Sequence, residues 1–382
     1  PLKSVLIRTL AALARSPESS STVWQSLEAA QILSTIPTIS SYQPRGVQTE
    51  LEEIESKKDE YPLTRAMLEL LDVLTDFPVL RLLGMGQRNP GFDPYLHFII
   101  NTVFLKFHTR SYKNPGEKWE VAEACLKIFS KLIKQYEPAV EDFVGCKVEL
   151  QSGEVTIVNS APGYHIMTQL HSKSELLHVI LYILDKGCSH FDTYEQFPGK
   201  KNLENCTLYC LEILERGLKT QHNYMAQLAA AKSIHKILTG LSRLLLEVDP
   251  QSKKPDYMIN VAKYVSYCSW LSQHAFHAVG VIHEVTNEPG ADSELLSTFT
   301  ATPALSTNIR HGFVECLDAD TTFDDDTESE RQYTGSCKER ILLLMMQSIV
   351  RPTPNLSHYL LGFEITKDIR KTVLQQPGIL GF

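Results

Sequence analysis

The clearest structural signal in this chain lies in residues 119–136, which read WEVAEACLKIFSKLIKQY. Apolar residues recur there at intervals of three and four: Val121, Ala122, Cys125, Ile128, Phe129, Leu132 and Ile133. Lys and Glu side chains occupy positions on the other side. This spacing places the apolar side chains on one side of an α-helix, and such a stripe must be covered by neighbouring elements. The stretch therefore predicts a helix that packs against other helices.

The same pattern continues through most of the chain. Helices are predicted near 2–15, 17–34, 49–59, 62–76, 94–108, 115–136, 173–189, 200–219, 222–247 with a break, 256–268, 270–286, 304–316, 328–351 and 354–362. Helix pairs then repeat at about 40 residues, which is the period of HEAT and armadillo stacks. We therefore predict an all-α fold, an irregular α-solenoid of HEAT/armadillo-like stacked helices. It is expected to be one continuous segment over residues 1–382, excised from a longer chain.

Three segments have a distinct character. A small β-hairpin is predicted near residues 147–158, where apolar residues alternate with polar ones on both sides of a Ser-Gly turn. Residues 317–331 are crowded with Asp and Glu and predict an acidic loop, either solvated or a docking site for a basic partner. Residues 341–350 are almost entirely apolar and predict an inner helix that is covered on several sides.

Composition and charge exclude several classes of protein. Hydrophobic residues make up 43% of the chain and charged residues 21%, which excludes wholesale disorder. The 37 Lys and Arg against 45 Asp and Glu give a net charge of -8, a sign that repels nucleic acid. No stretch approaches the roughly 20 apolar residues of a membrane span. We therefore expect an intracellular protein without nucleic-acid binding and without a direct membrane span.

Cysteine and histidine residues suggest no metal site. The 8 cysteines are scattered without a Cys-x-x-Cys pair, so we expect reduced, buried thiols, with Cys206 and Cys210 as core residues of a helix. The best metal candidates are His274, His277 and His283, in a segment that also contains Cys268 and Glu284. They lack a His-Glu-x-x-His arrangement or a thiol pair that would complete a site. We assign no metal.

Motifs for catalysis are missing as well. The glycine-rich stretch at residues 84–91 lacks the Gly-x-Gly-x-x-Gly spacing of a dinucleotide loop and is predicted to be a flexible connection. No Gly-x-Ser-x-Gly elbow or Walker-type lysine occurs. We therefore predict no catalytic, no cofactor-binding and no metal-binding residues, and the chain is not expected to be an enzyme.

Several long strings resemble a known family. They include EYPLTRA at 60–66, PGFDPYL at 90–96, EKWEVAE at 117–123, GFVECLD at 312–318 and LLGFE at 360–364. In this order they resemble the large scaffold nucleoporins of the nuclear pore inner ring. The resemblance implies an α-solenoid taken from the middle of such a protein, at the nuclear pore complex in the nuclear envelope.

The same resemblance implies a structural role in nuclear pore assembly and nucleocytoplasmic transport, including transport of protein and mRNA. Its implied partners are other inner-ring nucleoporins, including linker nucleoporins that bind through short helical or extended segments. One alternative is an importin-like α-solenoid transport receptor or adaptor, although the 3 Trp residues are far apart and form no array. Another is a cryptic hydrolase or metalloenzyme that uses the region from Cys268 to His283.

Overall fold

The computed structural model describes residues 2–30, 32–33, 46–77, 92–144, 146–150, 153–157, 161–193, 196–231, 238–248, 256–319 and 328–381. Helices dominate these residues, which confirms the predicted all-α class. The chain forms two compact units. The first comprises Pro1–Val179, Glu195–Tyr209 and His222–Leu238, and the second comprises Ile180–Tyr194, Cys210–Gln221 and Thr239–Phe382. Among the described helices, none combines the length and the apolar character that crossing a bilayer requires.

Seven helices belong wholly to the first unit. They are α1 (Leu2–Leu13), α2 (Pro17–Ala29), α3 (residues 47–58), α4 (Pro62–Leu74), α5 (residues 93–106), α6 (Glu117–Gln135) and α7 (Pro162–Leu170). Two of them are locally widened into π-helix, at Glu50–Glu55 in α3 and at Phe98–Val103 in α5. Helix α4 packs against both α1 and α6, and α6 also packs against α7. Helices α8 (Glu175–Phe191) and α9 (Lys200–Ala230) contribute residues to both units.

The second unit continues with seven further helices. They are α10 (Leu241–Leu246), α11 (residues 256–267), α12 (Ser272–Thr286), α13 (Ala291–Phe299), α14 (Pro303–Asp318), α15 (Glu328–Ile349) and α16 (Leu356–Leu361). Helix α12 is the central one, because it packs against α11, α13 and α15. Helix α14 packs against the 3-10 turn that ends α11 and against α15.

Two short strands interrupt the helices at the position where the sequence predicts a hairpin. Strands β1 (Cys146–Leu150) and β2 (Gly153–Ile157) pair antiparallel, with Val148 opposite Val155. Of the predicted acidic loop at 317–331, residues 320–327 lie outside the described residues, and α14 and α15 extend into its two ends. The glycine-rich stretch at 84–91 also lies outside the described residues.

Two helices exist where the sequence analysis predicts none. Helix α7 begins at Pro162, and Pro162 and Gly163 form its first turn, where proline is well tolerated. Helix α13 is only 9 residues long, and it is stabilised by burial of Leu295, Leu296 and Phe299. In both cases packing decides the conformation, because the local sequence is too short or too ambiguous to do so.

The sequence analysis ends one helix at residue 219 and begins the next at residue 222. This predicted interruption between residues 219 and 222 is wrong. Helix α9 runs without interruption for 31 residues. Thr220 and Tyr224, one turn apart, are both buried, so a buried side continues through the predicted break. No glycine or proline lies between residues 219 and 222 that would end a helix.

A buried carboxylate from one helix starts the next helix in the first unit. Tyr61 precedes α4 and provides no side-chain cap. Instead, Glu55 of α3 accepts hydrogen bonds from the backbone N–H groups of Leu63 (2.6 Å) and Thr64 (3.1 Å). The first N–H groups of a helix otherwise lack partners, and the positive end of the helix dipole favours a carboxylate there. The contact thus fixes how α3 and α4 follow one another.

The close approach of α7 to α6 generates a prediction for Gly163. A Cβ at this position would lie 2.3 Å from Tyr136 Cβ and 2.9 Å from the carbonyl oxygen of Leu132. Because neither atom is at the free end of a side chain, Gly163→Ala is expected to lower the free energy of unfolding by about 1–3 kcal/mol. Equilibrium urea unfolding of the purified protein measures this change.

Gly335 in α15 provides the matched control. Among the described residues, and apart from the backbone of its own helix and its chain neighbours, nothing lies within 4 Å of a Cβ placed there. Gly335→Ala is therefore expected to raise the free energy of unfolding by about 0.5–1 kcal/mol, because alanine favours the helix interior. Equal effects of the two substitutions would contradict the close packing of α7 on α6.

Candidate interaction surface

The last turns of α15 and Val350, the residue that follows the helix, present large apolar side chains to solvent. They are Leu342, Leu343, Met346, Ile349 and Val350, and their exposed fractions range from 51% to 83%. We call this set the α15 stripe. The opposite side of the helix is buried through Ile341, Leu344 and Ser348. The prediction of an inner helix covered on several sides is therefore wrong for this chain, in which one side is covered and the other is open.

The C-terminal end of α15 is anchored through a buried aspartate. Asp292 of α13 accepts hydrogen bonds from the Ser348 hydroxyl (2.9 Å) and from the backbone N–H of Leu356 at the start of α16 (3.1 Å). The Ser348 hydroxyl also accepts a hydrogen bond from the Ser357 N–H (3.2 Å). These contacts join α13, α15 and α16 and hold the end of the α15 stripe in a fixed position.

A second anchor lies at the other end of the stripe, around the buried carboxylate of Glu215. Its oxygens lie 2.6 Å from His277 Nδ1, 2.6 Å from Lys219 Nζ and 2.7 Å from Arg340 Nη1. These residues belong to α9, α12 and α15. Arg340 also donates to the carbonyl oxygen of Phe276 (3.0 Å) and lies over the Phe276 ring, 3.5 Å from its centroid.

The protonation of Glu215 follows from this environment. Burial by itself raises the pKa of the carboxyl group. Hydrogen bonds from His277 and Lys219 outweigh burial, together with the charges of His277 and Arg340, and lower the pKa from its ordinary value of 4.5 to about 2. Glu215 is therefore ionised at neutral pH, and its carboxylate carries its full charge towards Lys219 and Arg340.

A pocket opens beside this cluster and reaches the α15 stripe. Its cavity volume is about 150 Å³, and its lining includes Arg340 and Leu343 of α15 together with His283 and Glu284 of α12. Gly280 forms part of the wall, and a Cβ there would lie 2.4 Å from Arg340 Nη1. The pocket thus places an apolar stripe next to a small group of charged side chains. That combination of apolar and charged side chains suits the binding of a peptide segment.

The metal candidates of the sequence analysis do not come together in one site. His274 is buried and stacks on Tyr264, with ring centroids 6.0 Å apart. His277 belongs to the Glu215 cluster, and His283 lies at the pocket, 3.7 Å from Glu284. Cys206 and Cys210 are fully buried, as the sequence analysis predicts.

Cys268 instead belongs to a cluster that the sequence analysis missed. It meets Cys316 of α14 and Cys337 of α15, and all three residues are buried. Among the described residues, this is the group of three whose ligand atoms lie close enough to hold a metal ion. The three cysteines are 48 and 21 residues apart in sequence, so no spacing motif signals their contact.

Comparison with known sequences identifies the class of protein. All 382 residues match the family described as nuclear pore complex scaffold, nucleoporins 186/192/205. The chain belongs to this family of scaffold nucleoporins. None of the matches favours the importin-like transport receptor that the sequence analysis leaves open.

Three individual relatives show how similar the chain is to other proteins. The chain is 40% identical to the human nuclear pore complex protein Nup205 over 388 residues and 35% identical to Nup205 of Drosophila melanogaster over 429 residues. It is 23% identical to NUP205 of Arabidopsis thaliana over 401 residues. These alignments cover 98–100% of this chain but only 19–20% of each relative. The chain thus spans about a fifth of the length of the proteins it matches.

The Glu215 cluster generates a prediction about stability. Glu215→Gln removes the negative charge that Lys219, His277 and Arg340 share and replaces one of the two acceptor oxygens with an NH₂ donor. We expect the free energy of unfolding at pH 7 to fall by about 3 kcal/mol, as for other broken buried ion pairs. Urea unfolding measures this loss. The matched control is Glu294→Gln, which removes a half-exposed pair with Arg243 and is expected to cost at most about 1 kcal/mol.

The pH dependence of the same variant tests the cause of the loss. Because the pKa of Glu215 in the folded protein is lowered from 4.5 to about 2, its stabilisation is present above pH 4.5 and is lost as the pH falls towards 2. The difference in unfolding free energy between the unmodified protein and Glu215→Gln is therefore expected to shrink over this range. A difference that stays constant between pH 5 and pH 3 would show that packing, and not charge, causes the loss.

Proposed function

We propose that this chain is part of a non-catalytic scaffold protein of the nuclear pore inner ring, in the nuclear envelope. In this role it binds other nucleoporins and supports pore assembly and nucleocytoplasmic transport of protein and mRNA. The match of all 382 residues to a nuclear pore scaffold family is the observation that carries the proposal. An exposed apolar stripe on a firmly anchored helix supports it, because such surfaces are typical of protein–protein contact.

We further propose that the chain forms one continuous segment of an irregular α-solenoid. Packing between helices close in sequence supports this architecture within each unit: α4 with α6, α6 with α7, α12 with α13, and α15 with α16. A solenoid is built from such neighbour contacts. Helix α1 adds support, because its outward side carries exposed apolar residues, which in a longer stack would lie against a further helix: Leu2, Val5, Leu6, Leu10 and Leu13.

A non-catalytic role agrees with the chemistry of the described residues. The buried acid Glu215 is bound by His277, Lys219 and Arg340 of the protein itself. A general acid or base needs a pKa near the operating pH, whereas the pKa of this carboxyl group lies at about 2. The cluster therefore serves to hold helices together.

The occupant that best fits the α15 stripe is an amphipathic helix of another nucleoporin. Leu342, Met346 and Ile349 recur at intervals of four and three, so their side chains form one row along the helix. A partner helix with apolar residues at the same spacing packs into such a row. The adjoining pocket offers charged groups at Lys219 and Arg340 that suit polar residues at the edge of the partner.

The α15 stripe is tested in the full-length protein with the substitution Met346→Asp. Met346 is 67% exposed, so the change leaves the core intact. Burying a charge in place of methionine is expected to weaken binding of an inner-ring nucleoporin at least tenfold, because each tenfold change corresponds to about 1.4 kcal/mol. Binding is measured with a panel of purified inner-ring nucleoporins by isothermal titration calorimetry.

Val248→Asp is the matched control, since Val248 is also apolar and 54% exposed but lies outside the stripe. It is expected to leave binding unchanged. Two results would contradict the assignment of the stripe: equal affinities for both variants, or stripe-dependent binding only to a second copy of this protein. Failure of the full-length protein to bind any inner-ring nucleoporin would contradict the scaffold function itself.

A further inference from the structure

Three cysteine thiols from three separate segments converge in the core of the second unit. Cys268 follows directly after α11, Cys316 lies in the last turn of α14, and Cys337 lies in the middle of α15. The Cys316 sulfur is 3.2 Å from the Cys268 sulfur and 3.3 Å from the Cys337 sulfur. All three sulfurs lie within 4.8 Å of one another.

This arrangement differs from that of the other described cysteines. Cys125 and Cys210 are also buried, but neither belongs to a group of possible metal ligands. In those two cases the thiol acts as a small apolar side chain, and burial raises its pKa. The three-cysteine cluster instead brings three soft donor atoms to one point and excludes water from them.

The distances favour a shared metal ion over a disulfide bond. A metal–sulfur bond of about 2.3 Å in a trigonal site separates the sulfurs by about 4 Å. The sulfurs at 3.2 Å and 3.3 Å reach that separation by moving apart by less than an ångström. A disulfide requires a sulfur–sulfur distance of about 2.05 Å, which is a larger shift and leaves the third thiol without a partner.

The number and type of ligands select among metals. Thiolate ligands favour soft cations such as Cu(I) and also Zn(II), whereas Mg(II) and Ca(II) require oxygen. Structural Zn(II) is almost always bound by four protein ligands in a tetrahedron. Among the described residues, the cluster contains three ligands and no fourth His, Cys, Asp or Glu. A dry site with three sulfurs matches Cu(I) better than Zn(II).

We propose that Cys268, Cys316 and Cys337 form a trigonal binding site for a soft thiophilic cation, and that the ion is Cu(I). Binding forms three copper–sulfur bonds and releases the three thiol protons to solvent, with no change in the oxidation state of copper or sulfur. The resulting centre carries a charge of minus two, and Lys338, the half-buried neighbour of Cys337, supplies a positive charge beside it. The ion joins α14 and α15 to the end of α11, and therefore stabilises the folded state.

The test uses the full-length protein, reduced and free of oxygen. Cu(I) is supplied as its glutathione complex, and a colorimetric Cu(I) chelator competes for the metal. We expect one Cu(I) for each set of three cysteines, with sulfur as the only ligand atom in the X-ray absorption spectrum. Cys316→Ala removes the central ligand and is expected to weaken Cu(I) binding by about 100-fold or more.

Cys210→Ala is the matched control, because it removes a buried thiol of the same unit outside the cluster. It is expected to retain Cu(I) binding. Should Cys316→Ala fail to fold, Cys268→Ser provides a second ligand variant with the same expected loss. The proposal is overturned if Cu(I) binding is absent, if both Cys316→Ala and Cys268→Ser retain it, or if the protein retains Zn(II) in preference to Cu(I).

Discussion

The position of helix α15 depends on one buried carboxylate. The candidate interaction surface depends in turn on the position of α15. Glu215 has a side chain that is only 4% exposed, and its oxygens lie 2.6–2.7 Å from nitrogen atoms of Lys219 in α9, His277 in α12 and Arg340 in α15. A carboxylate transferred from water into such a place is unfavourable unless its charge is matched and its oxygens accept hydrogen bonds. Both conditions hold for Glu215. Because its charge and its hydrogen bonds must be satisfied, this one carboxylate fixes the positions of α9, α12 and α15. Gly280 makes this possible, since any side chain there would occupy the space of Arg340 and Glu215.

Anchoring at both ends explains how an apolar stripe remains ordered on an exposed side of the helix. Arg340 fixes one end of the last three turns, and the hydrogen bonds of Asp292 fix the other. A helix held in this way presents Leu342, Met346 and Ile349 without the loss of conformational freedom that a flexible segment would undergo on binding. A preformed surface of this kind suits a scaffold, which must hold its partners in fixed positions.

The same helix connects the surface to the cysteine cluster. Cys337 lies on the buried side of α15, roughly opposite the stripe, and meets Cys268 and Cys316 in the core. The stability of the second unit and the exposure of the α15 stripe are therefore coupled through helix α15. Any change that loosens α15 from α12 or α14 acts on both.

The sequence by itself determined the helical class and much of the placement of helices. Periodic apolar residues, such as those of residues 119–136, act locally, so they can be recognised without knowledge of the fold. Family strings along the chain also identified the class of scaffold nucleoporins, which the match over residues 1–382 confirms.

Only the tertiary structure decided which apolar side chains are covered, where α7 and α13 form, and which polar groups meet. The sequence of α15 shows that apolar residues lie on several sides of this helix. It does not show which of these sides a neighbouring helix covers. The contacts of Glu215 with His277 and of Cys316 with Cys268 join residues 62 and 48 positions apart, respectively. Such contacts leave no local pattern, because chain folding and not sequence spacing brings the atoms together.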